Sequence, residues 1–204
     1  MIPAPAMVYI VDDDDAVRSA LKLLVKSIGL AVEGYGSAPE FLSHHDTHRS
    51  SCLVLDVRMP GLDGLDLQDK IVALGWEIPI IFITGHGDVP QAVRAMKSGA
   101  IDFLNKPFDD TDLLNAITLA LSRVSATSHE RMELANLRRR FDTLTPREKQ
   151  IMVAVAEGKQ NKGIAYDLSV TESTVKVHKH NVMSKMNLRS IAELTLAIQR
   201  LKKN

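Results

Sequence analysis

The chain has one cysteine, Cys52, in 204 residues. A single thiol cannot close an internal disulfide, so a reducing cytoplasm is the simplest home, and Cys52 reads as a small buried residue near a strand start. No apolar run approaches the ~20 residues of a membrane-spanning helix. No basic stretch precedes an apolar one at the N-terminus, which gives no sign of a signal peptide. Internal repeats and low-complexity stretches are missing as well. What is there is a chain with 45% hydrophobic residues, enough for one large or two small globular domains.

A formal net charge of zero hides a division. Residues 1–122 hold 9 Lys and Arg against 17 Asp and Glu, whereas residues 123–204 hold 16 against 8. An acidic half joined to a basic half suggests two modules with different partners, and the basic one could face nucleic acid.

The acidic half alternates in period. Short apolar runs at Met7–Val11, Leu30–Tyr35, Cys52–Asp56, Ile78–Thr84 and Ile101–Leu104 read as strands. Between them, helical spacing appears from Val17 to Ile28, from Leu62 to Ala73 and from Val89 to Lys97, with a further helix start at Ser37 and a last one near Asp109. Five strands alternating with helices predict a doubly wound parallel sheet covered on both faces. Ligands of such sheets bind beyond the carboxyl ends of the strands. Those ends carry Asp12 and Asp13, Asp56, Thr84 and Lys106. Three crowded carboxylates are costly unless a cation sits among them. Oxygen ligands with open water positions suit magnesium, and a hydroxyl and an ammonium beside them suit a tetrahedral anion. Together they describe phosphoryl transfer onto a carboxylate.

The motifs Val11-Asp-Asp13, Leu55-Asp-Val-Arg-Met-Pro-Gly61, Thr84-Gly-His-Gly-Asp88 and Lys106-Pro-Phe108 resemble those of the receiver domain of bacterial response regulators. The resemblance implies that Asp56 accepts a phosphoryl group from a sensor histidine kinase. It implies Mg2+ held by Asp13, Asp56 and the Arg58 backbone carbonyl, with Asp12 acting through water. Thr84 and Lys106 would contact the phosphoryl group. Phe103 matches the family's aromatic switch position, and a plain core aromatic is an equal reading.

From Asp110 to Arg140 no strong breaker occurs, and Arg123–Arg140 reads as a helical linker. Thr145-Pro-Arg-Glu148 is a helix start with a threonine cap, an early proline and a glutamate three residues on. Helices are predicted over Lys159–Leu168, Glu172–Met186 and Arg189–Leu201. At about 100° per residue, Val175, Val182 and Met186 share one face of Glu172–Met186. Ser173, Lys176, Val177, His180 and Ser184 lie roughly opposite. That second face suits base edges and would equally suit solvent.

Leu144-Thr-Pro-Arg-Glu148, Asn161-Lys162, Ile164-Ala165, Thr174-Val-Lys-Val-His178, Asn181 and Lys185 are similar to the four-helix DNA-binding domain of the LuxR/NarL type. The resemblance assigns Lys176, Val177 and His180 to bases, Thr174, Asn181 and Lys185 to phosphates, and His178 to packing; Ser173 shares the DNA-facing side. Gly163 departs from the acidic residue common after Asn-Lys. The last helix is a candidate dimer surface, or the lid of the small core.

The expected architecture is therefore α/β plus all-α. It has a flavodoxin-like receiver over 1–122, a long helical linker over 123–142 and a four-helix helix-turn-helix domain over 143–204. The implied function is a transcriptional response regulator of the FixJ-like branch and not an enzyme: phosphorylated, homodimeric on phosphorylation, bound to promoter DNA and acting on RNA polymerase. Two alternatives stay open: a phosphorylation-independent DNA-binding protein with a vestigial receiver, and an aspartyl-phosphate phosphatase. The phosphatase needs a second Asp two residues beyond the nucleophile, where this chain has Arg58.

Overall fold

The computed structural model describes residues 6–44, 50–85 and 88–202. His86 and Gly87 of the Thr-Gly-His-Gly-Asp segment lie outside them. The chain divides into two compact units, Met1–Thr127 and Ser128–Asn204.

The first unit is the expected parallel sheet. Its strands are β1 (Met7–Val11), β2 (Ala31–Tyr35), β3 (Ser51–Asp56), β4 (Ile80–Thr84) and β5 (Asp102–Asn105), in the order β2-β1-β3-β4-β5. Every neighbouring pair is parallel. The inner strands β1, β3 and β4 are buried along their whole length, which is why they read as unbroken apolar runs and not as alternating ones. Alternate residues feed two cores. Tyr9, Leu53, Leu55 and Phe82 pack on one face with Phe41, Leu67 and Ile71 from helices α2 (Ala38–His44) and α3 (Gly64–Ala73). Val8, Ile10, Val54, Ile81 and Ile83 pack on the other with Leu21, Val25, Leu113 and Ile117 from α1 (Asp15–Ser27) and α5 (Asp110–Asp142).

Side-chain caps set where helices begin. Asp14 caps α1 by accepting the Ala16 N–H at 2.8 Å, and Asp15 occupies the first turn. Asp63 caps α3, which therefore starts at Gly64 and not at Leu62. Asp88 caps α4 (Val89–Lys97), with Pro90 in its first turn. Ser37 accepts the Glu40 N–H, while the Glu40 carboxylate returns to the Gly36 N–H.

Helix α5 is 33 residues long, and the boundary between the units falls inside it. Its first part packs on the sheet through Leu113, Ala116, Ile117 and Ala120. In the second unit its last turns, with Leu137 and Phe141, join α6 (Pro146–Ala156), α7 (Asn161–Asp167), α8 (Glu172–Met186) and α9 (Ile191–Lys202) around Ile151, Met152, Ile164, Val175, Val182, Met186 and Leu194. The full capping box at Thr145 and Glu148 is present. In α9, Leu194 and Ala197 close this core, whereas Leu196 stays exposed.

Candidate functional site

β1 delivers Asp12 and β3 delivers Asp56 to the same carboxyl edge, where both are almost fully buried at 1% and 6% exposure. The Lys106 ammonium lies between them. Its Nζ donates to Asp12 Oδ2 at 2.7 Å and to Asp56 Oδ1 at 2.7 Å. Backbone donors take the other oxygens: the Asp14 N–H meets Asp12 Oδ1 at 2.9 Å and the Arg58 N–H meets Asp56 Oδ2 at 2.7 Å. The Lys106-Pro107 peptide is cis, and the Lys106 N–H donates to the Thr84 carbonyl at 2.7 Å.

Two carboxylates thus share one ammonium. Burial raises the Asp56 pKa above the usual carboxylate value, Lys106 and the Arg58 N–H oppose that rise, and the Asp12 charge adds to it. Burial also works against the Lys106 charge, but the hydrogen bonds that Lys106 donates to both aspartates outweigh that and hold the ammonium above its ordinary range.

Thr84 is fully buried at the end of β4. Phe103 is half-buried on β5, opposite Phe82, with ring centroids 6.0 Å apart. Asp13 is exposed, as is Arg58. Among the described residues, no group of three or more His, Cys, Asp or Glu is gathered for a metal ion. The oxygen donors at this edge nonetheless fit magnesium chemistry, a hard cation bound by one or two carboxylates and several waters. The buried pair's excess of negative charge favours such a guest.

In the second unit, α8 begins at the Thr171 cap, which accepts the Thr174 N–H at 3.2 Å. The Ser173 and Thr174 hydroxyls both lie within hydrogen-bond reach of the Thr171 hydroxyl, at 2.7 and 2.9 Å. Val175, Val182 and Met186 are buried. Ser173, Lys176, Val177 and His180 are exposed, and Thr174 and Asn181 are half-buried. Val177 is 59% exposed, an apolar side chain on an otherwise polar face. Lys185 is engaged by Glu148, with Nζ to Oε distances of 2.7 and 3.0 Å. His178 is half-buried, and its Nδ1 is buried without a hydrogen-bond partner.

Residues 8–118 match the profile of the response regulator receiver domain, and residues 142–198 that of the bacterial regulatory proteins of the luxR family. The chain belongs to the response regulators. The response regulator protein TmoT of Ectopseudomonas mendocina is 47% identical over 197 residues, which cover 97% of this chain and 90% of that one. The transcriptional regulatory protein FixJ of Rhizobium meliloti (strain 1021) is 44% identical over 187 residues, 92% of each chain. The solved structure of the response regulator StyR covers 97% of this chain and 100% of its own, with a TM-score of 0.86 at 45% identity. This response regulator stands among transcriptional regulators and not among enzymes.

Two residues of the receiver site escaped the sequence reading. A Cβ at position 64 would sit 2.2 Å from the Asp56 carbonyl oxygen, so only glycine lets α3 begin against the strand end. The signal for it was a second glycine at a helix start, three residues after Gly61. Arg18 donates from its guanidinium to the Asp12 carbonyl, and no local pattern marks that contact. In this response regulator no helix among the described residues is long and apolar enough to cross a membrane.

Proposed function

We propose that this response regulator receives a phosphoryl group on Asp56 from a sensor histidine kinase and, so modified, controls transcription from promoter DNA. The observation that carries this reading is the buried Asp56 carboxylate hydrogen-bonded at 2.7 Å to the Lys106 ammonium. An Asp56 oxygen attacks phosphorus, the P–N bond of the phosphohistidine breaks, and a P–O bond forms. Lys106 offsets the charge on the transferring group, and the Thr84 hydroxyl donates to one of its oxygens. Asp13, Asp56 and the Arg58 carbonyl, with Asp12 through water, would hold a magnesium ion, which would supply further positive charge.

The modified receiver (1–122) favours a second conformation, with Thr84 and Phe103 carrying the change. That conformation pairs two copies. The linker (123–142) then serves two helix-turn-helix domains (143–204) on a two-fold DNA site. Lys176, Val177 and His180 read base edges beside Ser173, while Thr174, Asn181 and Lys185 meet phosphates. RNA polymerase is the partner of an activating complex, and the cytoplasm is its compartment.

Incubation with acetyl phosphate and Mg2+ tests the central step. Intact mass should show one added phosphoryl group, labile to hydroxylamine and missing from Asp56→Asn. An unmodified wild-type chain, or modification that survives Asp56→Asn, would point instead to a DNA-binding regulator with an inert receiver.

A further inference from the structure

The second unit holds an ion pair with one buried partner, Glu148, and one exposed partner, Lys185. Glu148 is 3% exposed on α6, and its partner Lys185 is one of the residues assigned to phosphates. Its carboxylate does two jobs. One is local: it accepts the Thr145 N–H at 2.8 Å and completes the capping box of α6. The other reaches across the fold: both oxygens take the Lys185 ammonium, at 2.7 and 3.0 Å. Lys185 stands near the C-terminal end of α8, and its side chain is 38% exposed, so one side of the ammonium is held and the other is open. An ammonium has three donors. An unheld lysine chain loses rotamer freedom when it is fixed on a phosphate. Here that ordering has been done before DNA arrives.

We propose that Glu148 is a positioning residue for DNA binding, which fixes the Lys185 ammonium on α8 so that its open side meets a backbone phosphate. This rests on the reading of α8 as the DNA-binding helix. Glu148 itself touches no nucleic acid. It acts by orienting Lys185, and through the α6 cap it anchors the same point to the core.

The effect has an unusual sign. Neutralising Glu148 adds a positive charge to the unit, and charge alone would tighten binding to a polyanion. Preorganisation demands the opposite. The full-length protein is titrated against a mixed-sequence DNA duplex, which reports phosphate contacts, by fluorescence anisotropy at several salt concentrations. Glu148→Gln keeps an acceptor for the cap. It should bind about 5-fold more weakly than wild type. Lys185→Met should weaken binding comparably and flatten the slope of log K against log salt by about 0.9, one phosphate contact. In the Lys185→Met background, Glu148→Gln should cost nothing more. Circular dichroism melting checks that each variant is folded, and Glu148→Asp serves as a second probe if Glu148→Gln does not fold.

Equal losses from Glu148→Gln in both backgrounds would show a purely structural role and overturn the proposal. Tighter or unchanged binding by Glu148→Gln would overturn it too. An unaltered salt slope in Lys185→Met, with Lys176→Ala still weakening binding, would remove Lys185 from the interface and leave the DNA reading standing. If the wild-type chain fails to bind the duplex at all, the DNA reading itself fails, and the proposal with it.

Discussion

Each unit of this response regulator buries a carboxylate against a lysine, and the two arrangements differ in their arithmetic. In the acidic receiver, Asp12 and Asp56 share the single ammonium of Lys106. In the basic helical unit, Glu148 has Lys185 to itself and a backbone N–H besides. The consequence shows in proton affinity. Asp56 is pushed up, chiefly by burial, while Glu148 is pulled down, chiefly by Lys185 and the Thr145 N–H. The receiver pocket is short of positive charge and can welcome a cation or give its carboxylate to chemistry. The helical pair is balanced and serves as a tie. One residue pairing therefore leaves a pocket short of positive charge or a charge-balanced tie according to how many acids share the base.

The comparison breaks most severely at Lys106. Lys106→Met leaves two buried carboxylates without a cation and should cost about 3 kcal/mol at neutral pH, read by urea denaturation of the receiver. Part of that loss should return on acidification, as Asp56 takes up a proton. Glu148→Ala removes a cap and a buried acceptor together and should cost about 2 kcal/mol in the helical unit.

Asp56→Asn sharpens the comparison, because it gives the receiver one acid per base. It should stabilise the unmodified protein at pH 7 by about 1 kcal/mol or less, seen as a higher melting temperature. The pH responses should diverge. A raised pKa means the folded state holds its proton longer. The penalty of ionised Asp56 is thus absent below the ordinary value of 3.8 and grows as pH rises through the higher folded value. The depressed Glu148 works in reverse: its contribution is complete above 4.5 and is lost as pH falls through its lower folded value. Melting each unit across this range, with the Trp76 signal for the receiver and helical dichroism for the rest, should show the receiver gaining relative stability in acid.

The smallest effect belongs to the turn before α8. Ser169 has a φ of 52°, left-handed and unfavourable for a residue with a Cβ. Ser169→Gly should stabilise the helical unit by about 0.5 kcal/mol, measured by denaturant midpoint.

The receiver was readable because its chemistry is tied to period. Unbroken apolar runs announced β1, β3 and β4, and parallel topology then forced Asp12, Asp56, Thr84 and Lys106 to one edge. The Thr145 and Glu148 capping box was equally plain. What escaped depends on tertiary approach. Asp13 follows Asp12 in the same acidic run, yet one is exposed and the other buried, because only Asp12 still lies in line with the strand. Lys185 was read as a phosphate contact, and nothing local marked Glu148 as its partner, which is 37 residues away on another helix. Ile78 and Pro79 extended the apolar run without joining β4, which begins at Ile80. Ile78 is buried there, while the Pro79 carbonyl still accepts the Leu53 N–H at 2.9 Å.

Gly64 has a mechanical consequence. With no Cβ, it lets the first turn of α3 rest directly on the peptide of Asp56, and its own N–H donates to the Val57 carbonyl at 2.9 Å. Between most neighbouring elements a layer of side chains acts as a cushion, able to change rotamer and absorb a small displacement. At this joint the cushion has been taken out. Main chain bears on main chain, with no side chain between the Asp56 peptide and α3 to take up a displacement.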